Sequence, residues 1–230
     1  AAMRGVVKTL ANGKEEVEIY GFLDGYRGLI YGNFRMLTDK DFSGILTKGG
    51  TILGTSRTPF KTIQDPDPNG LNKVEAMKQN YYKLQLDCLV ILGGNGTHKT
   101  ANLLRKEGLN IVTLPKTIDN DLALTDHTPG FGSAAKYIAA STKEVIRDAE
   151  GLTYKKNMIT IMEIMGRNAG WLTGATALSK SEDCEGPDLI YLPEVPFDIE
   201  KFLAKVKDLL KKKSSVVIAV SEGIKLADGR

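Results

Sequence analysis

The 230 residues carry 42% hydrophobic and 26% charged residues, enough for a buried core in one large or two small domains. A formal net charge of +3 calls for neither nucleic acid nor a membrane surface as a partner, and no apolar run is long enough to read as a transmembrane span. Cys88 and Cys184 are the only cysteines, and without a Cys-x-x-Cys pair they exclude a disulfide framework and a cysteine zinc site.

In chain order, Ala2-Met3-Arg4-Gly5-Val6-Val7 opens as a helix with no strand before it. The first 70 residues are irregular, with glycine turns at Gly21, Gly25, Gly32, Gly49-Gly50 and Gly54. From about residue 74 apolar runs alternate with helical patterns. The stretch from Tyr82 predicts a strand through Leu92, with Cys88 as a buried thiol in it, then a turn at Gly93-Gly94-Asn95-Gly96 and a helix past Thr100-Ala101. Strands are predicted at 110–114, 158–164, 188–192 and 215–220, and helices at 133–150, 170–178 and 199–211, with Lys211-Lys212-Lys213 as a solvated helix end. This alternation predicts an α/β fold whose largely parallel sheets are covered on both faces. Pro129-Gly130 suggests a change of domain before the long helix.

In such sheets ligands bind at the carboxyl ends of strands. Four polar or glycine-rich segments fall there: Gly93-Gly94, Pro115-Lys116, Glu163 to Arg167, and Ser221-Glu222-Gly223. The glycine cluster 93–96 lets phosphate oxygens approach N–H groups at a helix start, although a plain strand-to-helix turn has the same composition. It is neither a Walker A loop nor a dinucleotide fingerprint. His98 and Lys99 beside it are expected to point to solvent. The loop Pro115-Lys116-Thr117-Ile118-Asp119-Asn120-Asp121 combines two carboxylates, a hydroxyl and an ammonium, a set suited to phosphoryl transfer with one carboxylate as base. The alternative is an Asx turn in which Asp119 and Asn120 cap their own backbone. Arg167 can neutralise a transferring phosphoryl group, or pair with Glu163. Glu222 can bind sugar hydroxyls, or cap a helix. His98 and His127 form no metal set with the cysteines, and no nucleophile-elbow sequence is present.

Taken together and in order, Gly50-Thr51-Ile52-Leu53-Gly54-Thr55-Ser56-Arg57, Gly93-Gly94-Asn95-Gly96-Thr97, the 115–121 loop, Met165-Gly166-Arg167 and Ser221-Glu222-Gly223 resemble the phosphofructokinase A family. The resemblance implies two Rossmann-like three-layer αβα domains, both incomplete: residues 1–130 binding the phosphoryl donor and 131–230 binding fructose 6-phosphate. It implies Mg²⁺-dependent phosphoryl transfer to the 1-hydroxyl of that sugar by a homo-oligomer of two or four subunits, while an N-terminus without a signal-peptide layout leaves the cytoplasm as the expected location. By the same resemblance Asp119 is the base, Thr117 touches sugar or transferring phosphoryl, and Arg167 meets the transition state. Asp121 lies near metal and substrate, Met165 and Gly166 line the sugar pocket, and Glu222 binds sugar hydroxyls. Arg57 and Thr58 reach the donor phosphates, Gly94, Asn95, Gly96 and Thr97 form the donor loop, and Asn95 and Asp121 are the metal-associated positions.

Four departures accompany the resemblance. Asn95 replaces an aspartate common in the family, so it supplies no charge to a metal. Met158 stands where many members place an arginine that reaches the neighbouring subunit's sugar phosphate. The usual amino-terminal glycine-rich donor loop and the carboxyl-terminal contacts to the 6-phosphate are absent, so the chain is expected to be cut at both ends and, if whole, poorly active. As to the donor, Gly96 leaves room for the ATP α-phosphate where pyrophosphate-using members carry an aspartate, whereas Lys116 is the lysine associated with pyrophosphate use. Steric exclusion is the harder constraint, which favours ATP. The other readings are a pyrophosphate-dependent enzyme, a non-catalytic sugar-phosphate-binding subunit, and a diacylglycerol- or NAD-kinase-like enzyme, which would share the 93–97 segment alone.

Overall fold

A computed structural model describes residues 1–13, 16–151 and 156–229. The chain divides into two compact units, Ala1–Pro115 and Lys116–Arg230. This division lies ahead of the Pro129-Gly130 break because the 116–130 loop folds onto its own end, with Thr117 bridging to Gly130 and the Thr128 hydroxyl donating to the Thr117 carbonyl at 2.7 Å.

In the first unit, helix α1 (Ala2–Ala11) lays Met3 and Val7, one turn apart, against Leu37 and Phe42. Strands β1 (Ile19–Phe22) and β2 (Phe34–Leu37) pair antiparallel around helix α2 (Tyr26–Tyr31), an arrangement absent from the sequence-based expectation. Helix α3 (Lys73–Lys83) is capped by Asn72, whose side-chain oxygen accepts from the N–H groups of Val74 and Glu75, and it runs past Tyr82, where a strand was expected to begin. Strands β3 (Leu89–Gly93) and β4 (Ile111–Pro115) pair in parallel across helix α4 (Asn95–Lys106). Leu29, Ile30, Val74, Met77, Leu89 and Leu104 make the core that ties α2, α3, β3 and α4 together. Met77 and Leu104 are fully buried, each worth about 1.5–3 kcal/mol of hydrophobic stabilisation. Cys88, expected to be buried, is half-buried, because it precedes β3 and lies outside this core.

In the second unit, helix α5 (Phe131–Gly151) precedes a parallel sheet of order β5-β7-β6, formed by β5 (Met158–Ile164), β6 (Leu189–Tyr191) and β7 (Ser215–Ser221). The predicted helix at 170–178 is a short α6 (Trp171–Gly174) continued by a 3-10 turn, Ala175–Ser179. Helix α7 (Ile199–Leu210) is capped by the Asp198 carboxylate and ends at Lys211. Strand β7 is covered on both faces, as its unbroken apolar run demands: Val216 and Ile218 meet Val206 of α7, while Val217 meets Ile146 and Ala149 of α5. The covering is less complete elsewhere, since Val90 and Val112, partners in the β3–β4 register, and Ile159 and Ile161 on β5 remain exposed. The fold is α/β, with β3–β4 and β5-β7-β6 parallel and β1–β2 antiparallel, and strand ends supply the loops described next.

Candidate active site

The register of the second sheet sets Ile164 beside Ser221, so the segments following β5 and β7 emerge side by side. Three hydrogen bonds join them. The Gly166 N–H donates to Glu222 Oε1 at 3.1 Å, the buried Ser221 hydroxyl donates to the Gly166 carbonyl at 2.6 Å, and the Glu222 N–H donates to the Ile164 carbonyl at 2.9 Å. Two glycines make this possible. Gly166 has φ +128°, outside what L side chains readily adopt, and a Cβ on Gly223 would lie 1.9 Å from the Arg167 carbonyl oxygen. Arg167 and Met165 are exposed, and among the described residues Arg167 forms no ion pair with Glu163 or any other carboxylate.

The 115–130 loop divides its labour between neighbouring residues. Asn120 holds the turn: it is buried at φ +53°, its amide donates to the Asp126 carbonyl at 3.0 Å, and its oxygen accepts from the Thr128 N–H at 2.9 Å. Thr117 Oγ1 accepts from the Asp119 N–H at 3.2 Å. The Asp119 side chain takes no part in this scaffold, and its Oδ1 is buried without a hydrogen-bond partner among the described residues. Burial, followed by the carboxylates of Asp121 and Glu222, raises the Asp119 carboxyl above the ordinary 3.8, against the opposing pull of Lys116. The Asx turn foreseen as the alternative is not what these bonds form: Asn120 reaches six and eight residues along the chain, Thr117 caps the Asp119 N–H, and the Asp119 carboxylate is left available.

In the first unit, the N-cap of α4 is Gly94, which has no side chain with which to cap the helix start. The amide groups there lie along an exposed turn, Asn95-Gly96, suited to an anion. Tyr26 steadies this turn by donating its hydroxyl to the Thr97 carbonyl at 2.8 Å, and burial pushes that phenol well above its usual range. A Cβ on Gly96 would meet nothing within 4 Å. The 50–57 segment returns to the start of α2, where the Ser56 hydroxyl donates to the Asp24 carbonyl at 2.7 Å, leaving Arg57 exposed and Thr58 half-buried. His98, expected in solvent, is half-buried with its Nε2 3.2 Å from the Leu114 carbonyl, because the first turn of α4 packs over β4.

A family profile for Phosphofructokinase matches residues 1–230. The chain belongs to the phosphofructokinase family. It is 45% identical over 231 residues to the ATP-dependent 6-phosphofructokinase of Spirochaeta thermophila, covering 97% of this chain and 59% of that protein. It is 42% identical over 224 residues to the enzyme of the same name from Propionibacterium freudenreichii, covering 97% and 57%. Among solved structures, pyrophosphate-dependent phosphofructokinase from Nitrosospira multiformis matches with a TM-score of 0.81 at 30% identity, over 100% of this chain and 58% of that one. This phosphofructokinase-family chain thus spans less than two thirds of the length of these relatives.

Within the second unit the phosphofructokinase fold gathers Lys116, Asp119, Asp121 and Glu222 closely enough for their charges to act on one carboxyl, and it joins Gly166 to Glu222. Within the first it gathers Gly94, Asn95, Gly96 and Thr97 at the start of α4, with Arg57 and Thr58 on a separate segment. Two structurally engaged residues, Tyr26 and Thr128, escaped the sequence reading, and Ser221, named there within its motif, was given no role of its own. Tyr26 and Thr128 act through pairings that local sequence does not signal. No group of three or more His, Cys, Asp or Glu side chains suited to a metal occurs among the described residues. Asp121, close enough for its charge to raise the Asp119 carboxyl, nonetheless suits Mg²⁺, which takes one or two protein carboxylates and completes its shell with water and substrate phosphate.

Proposed function

We propose that the protein to which this chain belongs is a 6-phosphofructokinase, transferring the terminal phosphoryl group of ATP to the 1-hydroxyl of fructose 6-phosphate. The observation that carries this reading is Asp119: a carboxylate excluded from the turn it sits on, with one oxygen buried and unpartnered and its acidity weakened by burial and two like charges. Such a group is poised to accept a proton from an attacking hydroxyl, a role worth about 10²–10⁴-fold in rate. The sugar oxygen forms its bond to the terminal phosphorus as the bond from that phosphorus to the bridging oxygen breaks. The hydroxyl proton passes to Asp119, and the donor leaves as ADP.

Arg167 and Lys116 supply positive charge to the transferring group, and Glu222, Met165, Gly166 and Thr117 hold the sugar. The first unit binds the donor through Gly94 to Thr97, with Arg57 and Thr58 on its phosphates. Mg²⁺, associated with Asp121 and Asn95, would neutralise phosphate charge. Asn95 contributes an amide without charge, so metal affinity leans on Asp121 and the substrate. A cytoplasmic homo-oligomer completes the reading; separately, no helix among the described residues is long and apolar enough to cross a membrane.

Open space at Gly96 and the ATP-dependent names of the two curated relatives favour ATP. Lys116, whose charge is felt at Asp119, favours pyrophosphate as the second reading. Turnover of fructose 6-phosphate by the full-length gene product with Mg²⁺, assayed separately with each donor, decides between them. Activity with ATP is expected, activity with pyrophosphate alone would reverse the donor assignment, and silence with both would favour a binding subunit.

A further inference from the structure

The loop that carries Arg167 is fastened at both ends, and one fastening comes from a residue outside the five family motifs. At its start, Gly166 is held by Glu222 and Ser221. At its end, the Gly170 N–H donates to Glu194 Oε1 at 2.7 Å. Glu194 comes from the segment after β6, so the two clamps belong to different strand ends. The three residues between them fold tightly, and a Cβ on Gly166 would lie 2.5 Å from the Ala169 carbonyl oxygen. Segment 192–194 also presses on Gly170, where a Cβ would lie 2.7 Å from Glu194 Oε2 and 3.0 Å from the side chains of Leu192 and Pro193.

Glu194 is exposed, so its charge is not held in place by burial, and it forms no ion pair among the described residues. A carboxylate accepting a single backbone N–H on a four-residue helix stabilises that helix little, but it fixes where the preceding turn begins and ends. From this geometry we infer that Glu194 is a positioning residue, holding the 166–170 loop so that the Arg167 guanidinium meets the transferring phosphoryl group. The inference rests on the kinase reading given above. Misplacing a charge by about 1 Å at a phosphoryl-transfer site costs on the order of 10²-fold, and loosening one of two clamps costs less.

The test uses the full-length protein with whichever donor it accepts, measuring kcat, the KM for fructose 6-phosphate and Tm. Glu194→Ala is expected to lower kcat by about 10-fold or more with little change in KM, the pattern of an interaction made in the transition state. Glu194→Gln, whose amide oxygen still accepts from the Gly170 N–H, is expected to recover most of that loss. In the double variant with Arg167→Ala, the Glu194→Ala loss should vanish, because a residue acting through Arg167 has nothing left to position. Should the alanine variant fail to fold, Glu194→Asp, which keeps the charge and shortens the reach, takes its place with the same expectations. Wild-type kcat in Glu194→Ala, no recovery in Glu194→Gln, or losses that multiply in the double variant would overturn the inference while leaving the kinase reading intact. A silent wild type would overturn both.

Discussion

Asp119 and Asn120 are adjacent, similar in shape, and put to opposite uses. Asn120 spends its donor and acceptor on the loop and tolerates a left-handed backbone, whereas Asp119 keeps a buried oxygen without a partner. A raised folded-state value means that the folded chain holds the proton more tightly than the unfolded chain does. Asp119 therefore favours the fold fully below the ordinary 3.8, and that contribution is lost as pH rises through its elevated value. Asp119→Asn should reduce turnover by about 10²–10⁴-fold while raising Tm at neutral pH, with the gain disappearing below about pH 4. Paired kinetic and thermal-melt measurements across pH check this. A variant that is less stable than wild type at pH 7 would show that the carboxylate is satisfied in solution.

At the scale of elements, the site depends on how closely backbones approach where β5 and β7 end. Gly223→Ala sets a methyl against the Arg167 carbonyl, and because the obstacle is backbone the loop itself must shift. Overpacking of this kind costs about 1–3 kcal/mol and should lower kcat with stability. Gly132→Ala is the contrasting case. It lies in α5 with nothing within 4 Å of the new atom, and it should be neutral or stabilising by up to about 1 kcal/mol. Urea denaturation of both variants measures the difference, and equal midpoints would contradict the close approach at Gly223.

For the whole molecule, stability against pH sums groups of opposite sign. Asp183 opposes Asp119: hydrogen bonds from Lys143 and then from Ser181, together with the Arg147 charge, hold its carboxyl far below the usual carboxylate range. Its contribution is present above the ordinary 3.8 and is lost as pH falls through that value toward the depressed one. Asp183→Asn should accordingly lower Tm at pH 7, with the deficit shrinking below about pH 4 and in high salt, since the cluster is at the surface. A melt series over pH and ionic strength reads this directly, and a deficit independent of pH would rule out the ion cluster as its cause.

Much of this protein is written locally. Apolar runs bounded by glycine and polar residues determined β3, β4, β5 and β7, helical periodicity determined α5 and α7, and the order of five short motifs indicated the family. Those signals are legible because strand and helix periods, and the turn chemistry between them, are set by neighbours in sequence. The four-residue strands β1 and β2 were not legible, because each is too short to carry a period and exists through its pairing with the other. The division after Pro115 was likewise decided by the bridge from Thr117 to Gly130, which a break at Pro129-Gly130 does not foretell. Sequence named Glu222 and Gly166 separately. Only the tertiary structure joined them, through a strand register between residues far apart in the chain, and it alone assigned Ser221 and Glu194 to the same loop. Hydrogen bonds across that distance depend on where the sheet sets each strand end, and no local pattern encodes that placement.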